Sequence, residues 1–259
     1  KFFAYLEEHP TASKKDIAKQ KVVLCREINM PKIPTDIELF MHAPQALANR
    51  FRKVLQTKPN RSLSGVAPVA IMTSPHDCPH GKCRMCPGGI GSPWGDMPQS
   101  YTGAEPATMR AIRADYDPYI QVFNRLEQYI VTGHSADKVD LIVMGGTFPA
   151  RKKKYQDDFI TYAFKAMNDF SELFFKQGEF QVDTFKEFFE LPGDVNDKKR
   201  TQHIQQKLLK QKGESTLLYE QERNESAIIR CIGLTIETRP DYALLDHANT
   251  MLQQGCTRV

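Results

Sequence analysis

The chain of 259 residues lacks any apolar run long enough to cross a bilayer, and its first residues lack the pattern of a secretory signal. Its six cysteines are too few for the disulfide framework of a small secreted protein. The net charge of +4 is too small to indicate a nucleic-acid partner from the whole-chain balance. These absences exclude a membrane-spanning protein and a disulfide scaffold, and they predict a reducing, cytoplasmic compartment.

The composition is that of an ordinary globular protein. Hydrophobic residues make up 41% and charged residues 25% of the chain, and the length suits one α/β domain with an accessory region. The chain begins with Lys1 rather than methionine, and residues 256–259 read as the start of a strand. Both features predict a fragment of a longer protein.

Three cysteines lie within nine residues, at Cys78, Cys83 and Cys86, with the spacing C-x4-C-x2-C on a loop rich in glycine and proline. Thiolates are soft ligands, so three of them on one loop can surround a small inorganic centre. One interpretation is an iron–sulfur cluster with an open coordination site, which indicates an enzyme. The spacing equally permits a closed zinc site completed by His76 or His80. The isolated cysteines are expected to pack as small apolar residues: Cys25, Cys231 and Cys256.

Three short β-rich runs alternate with helical stretches. The runs cover residues 69–73, 139–144 and 227–238, and helices are predicted over residues 104–132 and 242–254. This alternation predicts a parallel α/β architecture, interpreted as a partial, incomplete parallel βα barrel. The cysteine loop, the glycines after the second run and the polar residues ending the third run all follow strand ends. In such barrels the chemistry gathers at the carboxyl ends of the strands.

Two other regions complete the predicted organisation. Residues 1–66 are expected to form a helical, basic region, and residues 67–259 the main domain. Residues 151–226 form a long crossover, with a core-facing helix followed by a polar, exposed helical excursion over residues 194–225. Basic clusters are either solvated surface or contacts to a phosphate backbone. The candidate residues for such contacts are Lys14, Lys15, Arg50, Arg52, Lys53, Lys152, Lys153 and Lys154.

These motifs together resemble the radical S-adenosylmethionine (SAM) superfamily and, within it, the catalytic subunits of Elongator, which are tRNA wobble-uridine acetyltransferases. The resemblance runs from about Val69 to the end of the chain. The matching segments are residues 78–89, 99–106, 109–111, 133–135, 137–139, 144–148 and 235–242. The cysteine spacing is similar to the archaeal form of the family.

The resemblance implies that the three clustered cysteines ligate a [4Fe–4S] cluster whose open iron binds SAM. An electron from the cluster would break a carbon–sulfur bond of SAM and give a 5′-deoxyadenosyl radical. The residues implied to contact SAM are Gly145, Gly146, Thr147, Glu237 and Arg239. A structural salt bridge is the alternative for Glu237. Two departures concern the wider superfamily: its first cysteine gap is usually three residues, and Met85 stands where an aromatic residue is common.

The implied reaction places a carboxymethyl-type group on carbon 5 of the wobble uridine of tRNA, with acetyl-CoA as the acetyl donor. Lys138 matches a residue implicated in acetyl-CoA contact, and an exposed lysine without that role is the alternative. The family carries a C-terminal acetyltransferase domain that this chain is expected to lack. The resemblance also implies that residues 1–66 form a tRNA-binding region and that the basic clusters contact the tRNA backbone. An external electron donor, and other Elongator-type subunits or self-association, are implied as further partners. The alternative functions are a non-catalytic RNA-binding scaffold with structural zinc, and another radical SAM enzyme.

Overall fold

The computed structural model describes residues 1–194 and 197–259. The α-helices are α1 (Phe2–Glu8), α2 (Lys14–Glu27), α3 (Asp36–His42), α4 (Gln45–Phe51), α5 (Pro106–Arg113), α6 (Pro118–Val131), α7 (Lys153–Phe174), α8 (Val182–Phe188), α9 (Lys198–Lys212), α10 (Leu217–Ser226) and α11 (Leu245–Gln253). The strands are β1 (Ala67–Met72), β2 (Lys138–Met144), β3 (Phe175–Lys176), β4 (Glu179–Phe180) and β5 (Arg230–Ile236). The fold is therefore mixed α/β.

The main sheet is parallel, in the order β1-β2-β5. Met72 lies opposite Met144, and Val143 lies opposite Ile236, so the three strands end at the same edge. Alternate residues of β2 are fully buried, which anchors this register because a shift by one residue would expose them. The predicted parallel architecture is confirmed for these three strands, together with the meeting of their carboxyl ends.

The chain folds as two compact units. The first comprises Lys1–Gly65, Glu127–Ser135 and Leu173–Ile204, and the second comprises Val66–Leu126, Ala136–Glu172 and Gln205–Val259. The parallel sheet belongs to the second unit, as does every residue of the cysteine loop.

In the first unit, the predicted helical character of the N-terminal segment is confirmed. Ser13 caps α2 and Thr35 caps α3, each through a reciprocal pair of hydrogen bonds with the acid three residues later. An aromatic cluster forms much of this unit's core, with ring centroids about 5 Å apart. Its rings belong to Phe174, Phe180, Phe185 and Phe189.

Several predicted boundaries differ from the observed ones. The helix predicted over residues 104–132 is two helices, because Asp115 and Tyr116 adopt positive φ angles of 47° and 57° between α5 and α6. The strand predicted from residue 227 begins at Arg230. The side chain of Asn224 fixes the residues that lead into β5. Its Nδ2 donates a hydrogen bond to Ile229 O, and its Oδ1 accepts one from the Cys231 backbone N–H.

The prediction that the polar stretch 194–225 lies exposed is wrong in part. Residues 195 and 196 lie outside the described residues. The stretch does form helices, but Glu220 on α10 is fully buried. Arg223 donates a hydrogen bond to that carboxylate at 2.7 Å, and Asn168 donates another at 2.8 Å. A buried charge is tolerated when it is paired in this way. By contrast, the prediction that α7 packs its apolar face in the core is confirmed, since Phe159, Met167 and Phe170 are buried.

Among the described residues, none of the helices combines the length and the apolarity needed to cross a membrane.

Candidate active site

The cysteine loop leaves the carboxyl end of β1 and is irregular over most of its length. Its three cysteines line one cavity of about 440 Å³, within the range of roughly 300–1,000 Å³ typical of small-molecule sites. The turn after β2 and the residues after β5 complete the walls. The cavity includes Cys78, Cys83, Cys86, Gln99, Ser100, Tyr101, Gly146, Thr147, Glu237 and Arg239. The structure thus brings together all but one of the residues predicted for the cluster and SAM; the exception, Gly145, adjoins this wall.

Each cysteine sulfur contacts a polar group. The Ser100 backbone N–H donates to Cys86 Sγ at 3.0 Å, and Arg239 Nη1 donates to Cys83 Sγ at 3.3 Å. Thr147 Oγ1 lies 3.7 Å from Cys78 Sγ. Hydrogen bonds of this kind stabilise negative charge on sulfur and tune iron–sulfur clusters.

This donor set fits a [4Fe–4S] cluster. Such a cluster needs each thiolate on a different iron, so cysteines spread around one cavity suit it. His80 Nε2 lies 3.3 Å from Cys83 Sγ, which is the only histidine contact to these sulfurs among the described residues. No group of three or more His, Cys, Asp or Glu side chains in the described ranges is placed to hold a single metal ion.

Glu237 connects the ends of two strands. Its carboxylate accepts hydrogen bonds from the backbone N–H of Gly145 at 3.0 Å and of Gly146 at 3.4 Å. It also accepts one from the Tyr101 hydroxyl at 2.6 Å. Burial and the adjacent Glu237 carboxylate both raise the pKa of Tyr101, so the hydroxyl keeps its proton and donates. Glu237 forms hydrogen bonds within the chain, and among the described residues no cation forms the salt bridge considered from the sequence.

The two glycines after β2 are required by close packing as well as by backbone conformation. Gly145 has φ of 120°, and an added Cβ would lie 2.3 Å from Thr73 Oγ1. Gly146 has φ of 98°, and its Cβ would lie 2.8 Å from Gln99 Cβ and 3.8 Å from Cys78 Sγ. Glycine alone adopts these angles at low cost and permits this approach to the cysteine loop.

Glu105 organises the turn that carries Tyr101 to the cavity. Its carboxylate accepts hydrogen bonds from Thr102 N and Oγ1, from Gly103 N and from Thr108 Oγ1. Burial acts to raise the pKa of Glu105, but these hydrogen bonds outweigh it and lower the pKa to about 2. The folded turn therefore stabilises the ionised carboxylate of Glu105.

This depressed pKa gives a pH-dependent prediction. Replacing Glu105 with glutamine should lower the free energy of unfolding by about 1–2 kcal/mol at pH 7, since hydrogen bonds to a charged acceptor are lost. The pKa of Glu105 is lower in the folded than in the unfolded protein. The extra free energy of unfolding of the wild type over the variant is therefore complete above about pH 4.5 and disappears as the pH falls through about 2. Urea unfolding of both proteins at several pH values measures this difference, and a difference independent of pH would contradict it.

Arg239 contacts both the cysteine loop and its own turn. Its Nε donates to Asp241 Oδ1 at 3.0 Å, while Nη1 reaches the Cys83 sulfur. The ion pair with Asp241 raises the pKa of Arg239 and lowers that of the aspartate. The guanidinium therefore stands charged at the cavity wall, where an anionic group of a ligand would meet it.

The structure does not bring Lys138 to this cavity. Lys138 begins β2, and the seven residues of that strand separate it from Gly145 by roughly 20 Å. Its ammonium pairs with Asp137 at 2.9 Å. Its side chain lines a different cavity, of about 330 Å³, together with Arg230 and Cys231. The acetyl-CoA contact stays a prediction.

The three lysines after β2 are exposed at the start of α7. Lys153 pairs with Asp157 at 2.7 Å, and Lys154 pairs with Asp158 at 2.8 Å, each one helical turn away. Exposed pairs of this kind are weak, so they hold these side chains only loosely. A contact of Lys152 and its two neighbours with tRNA remains a prediction.

The basic residues predicted in the first unit divide into two groups. Lys14 donates to the Gln56 carbonyl, and Arg52 donates to the His134 carbonyl, so both act within the chain. The other three are exposed, as Lys14 is, and their side chains form no hydrogen bond or ion pair with the described residues: Lys15, Arg50 and Lys53. Their role toward tRNA also stays a prediction.

Several residues of the site were given no role from the sequence. Gln99, Ser100 and Tyr101 lie in a segment that matches the family motifs, but nothing in their spacing indicates that they return to Cys86 and Glu237. The sequence groups Arg151 with the three lysines that follow it as candidate phosphate contacts. In the structure its guanidinium donates to Ser74 O and Oγ, both at 2.9 Å, at the start of the cysteine loop. Burial lowers the pKa of this arginine.

Comparison with known proteins gives close relatives across most of the chain. A tRNA uridine(34) acetyltransferase of Methanocaldococcus jannaschii is 42% identical over 226 residues, which are 87% of this chain and 34% of that protein. Elongator complex protein 3 of Bos taurus is 35% identical over 264 residues, covering 98% of this chain and 40% of that protein. The chain belongs to this family of tRNA uridine(34) acetyltransferases and Elongator complex protein 3. The family resemblance found in the motifs is thereby confirmed.

The match to the Elongator complex protein 3 family covers a limited part of its members. The chain spans about a third of the archaeal relatives it matches and 40% of the bovine one. No family model matches the chain. A solved structure of Methanocaldococcus infernus Elp3 with an N-terminal deletion is similar at 31% identity and a TM-score of 0.45, over 75% of this chain and 28% of that one.

Proposed function

We propose that this chain is the radical SAM region of an enzyme that modifies the wobble uridine of tRNA, installing a carboxymethyl-type group at carbon 5. The observation that carries the proposal is the single cavity in which three cysteine thiols meet the carboxyl ends of β2 and β5. Its relatives are named for acetyltransferase activity on tRNA uridine 34, which supports the same reaction class. A non-catalytic zinc scaffold is not favoured.

Cys78, Cys83 and Cys86 would hold a [4Fe–4S] cluster, and the glycine turn with Thr147 and Arg239 would bind SAM. When bound, these groups supply the radical chemistry of the superfamily. Arg239 would bind the carboxylate of SAM through the guanidinium that stands at the cavity wall. In this proposal Glu237 acts mainly as a positioning residue, because its hydrogen bonds already hold Gly145 and Gly146.

The wider assignments belong to the same proposal. The sheet would be part of an incomplete parallel βα barrel, which is supported by Arg258 pairing in parallel with Thr235 alongside β5. Residues 1–66 would form a tRNA-binding region and residues 67–259 the radical SAM domain. The exposed cations of both would contact the tRNA backbone. Acetyl-CoA, with Lys138 among its contacts, an external electron donor and other Elongator-type subunits or self-association would complete the activity.

Electron paramagnetic resonance tests the proposal directly. Protein reconstituted anaerobically with iron and sulfide, then reduced, should give a [4Fe–4S] signal that shifts when SAM is added, because SAM would bind the open iron. The same preparation should bind tRNA. Failure to form a cluster, with zinc bound in its place, would contradict the enzyme and favour the scaffold.

A further inference from the structure

The segment between Cys86 and Tyr101 forms a loop that both leaves and returns at the candidate active site. Cys86 lies at its start, and Gln99 and Ser100 at its end, and all three line the cavity. At the tip of the loop is Trp94, the single tryptophan of the chain, and its side chain is 59% exposed. An indole at this exposure is open to contact by a ligand, and it combines a large apolar face with an N–H donor.

The loop that presents this indole is held rigid by its own hydrogen bonds. Ser92 and Gly95 pair as an antiparallel bridge around the tip, and Ser92 Oγ donates to Gly95 O at 2.6 Å. Asp96 Oδ1 accepts the Gly91 N–H at 2.9 Å. A ring on a braced tip loses little conformational freedom when it binds something, which favours affinity.

The surroundings of the loop suit a nucleic acid. Met85 is 92% exposed and Ile90 is 38% exposed, so two further apolar side chains between Cys83 and Trp94 are open to solvent. Lys82 and Arg84 are exposed in the cysteine loop, and neither takes part in an ion pair formed by the described residues. An exposed aromatic ring and exposed cations on one segment suit the binding of unpaired nucleotides, through base stacking and phosphate contact.

We infer that Trp94, at the tip of the loop that begins and ends at the cysteine cavity, is a stacking platform for an unpaired nucleobase of the RNA substrate. The inference rests on the proposed function, since the reacting uridine must leave its stack to reach this cavity. An indole presents a π-face that any base can stack on, so Trp94 would position the RNA without reading its sequence.

Fluorescence titration with an RNA hairpin that carries unpaired uridines in its loop tests the inference, because all tryptophan emission of the chain arises from Trp94. Hairpin binding should quench this emission. Because both variants lack tryptophan emission, the fluorescence anisotropy of a dye-labelled hairpin measures their dissociation constants. Trp94→Ala should raise the dissociation constant about tenfold, and Trp94→Phe should raise it less, since a smaller ring still stacks. The salt dependence of binding should stay unchanged in both variants because no charge is lost. Leu218→Ala removes another exposed apolar side chain and serves as the matched control.

Two outcomes would overturn the inference, and they are distinguishable. If the wild-type protein binds the hairpin without quenching and Trp94→Ala binds equally well, the indole does not contact RNA, while the proposed function stands; a protein partner covering Trp94 would give this result. If neither protein binds the hairpin at low salt although the iron–sulfur cluster forms, the proposed function fails together with the inference.

Discussion

Replacing Cys83 with alanine should abolish SAM cleavage by the reconstituted protein while changing tRNA affinity by less than about threefold. The physical reason is that a cluster with only two of its three protein thiolates loses the ligand that anchors one iron. The cysteine is only partly buried, and its backbone carbonyl, which accepts the Cys86 N–H at 3.0 Å, is kept in the variant. The loop should therefore fold without the thiol.

Iron content, the spectrum of the reduced protein and the formation of 5′-deoxyadenosine measure the loss, and a tRNA binding assay measures what is kept. Cys231→Ala is the matched control, because that thiol lies in β5, and burial raises its pKa to about 11. The control should retain both activities. Equal loss of SAM cleavage and tRNA affinity in the Cys83 variant would point to a structural metal, and retention of a full cluster would exclude Cys83 as a ligand.

The sequence predicted the part of the fold that depends on local hydrophobic pattern. Each strand of the parallel sheet is a short apolar run, and each is followed by polar or glycine residues. Because strands paired in parallel end at the same edge, the amino-acid pattern alone predicts that Cys78, Gly146 and Glu237 meet. The family motifs predict which residues at that edge bind the cluster and SAM.

Contacts between residues that are far apart in the sequence could not be predicted in this way. Tyr101 and Glu237 are distant in sequence, and neither residue type indicates the other as its partner. The same holds for Glu220, whose charge predicts exposure, whereas Arg223 and Asn168 pair with it in the core. Pattern predicts burial of apolar residues well, but a buried charge depends on the specific partners that surround it.

Glu237→Ala should have the largest effect of any change outside the cysteines, lowering the kcat/KM for SAM cleavage about 100-fold. Three hydrogen bonds to the carboxylate are lost at once, from Tyr101 and from the backbone of Gly145 and Gly146. At about 1 kcal/mol each, their loss releases the glycine turn from its position beside Cys78. The effect should fall on both the dissociation constant for SAM and the rate of cleavage.

The conservative variant separates a positioning role from a direct contact with SAM. Glutamine has the same shape, so in Glu237→Gln its carbonyl can accept the glycine N–H groups while its amide donates to the Tyr101 oxygen. If Glu237 positions the turn, this variant should recover most of the activity, to within about tenfold of wild type. Tyr101→Phe, which removes one of the three bonds, should lie in the same range. A glutamine variant as inactive as alanine would mean that the negative charge itself binds SAM, because the shape and hydrogen-bonding capacity are otherwise preserved.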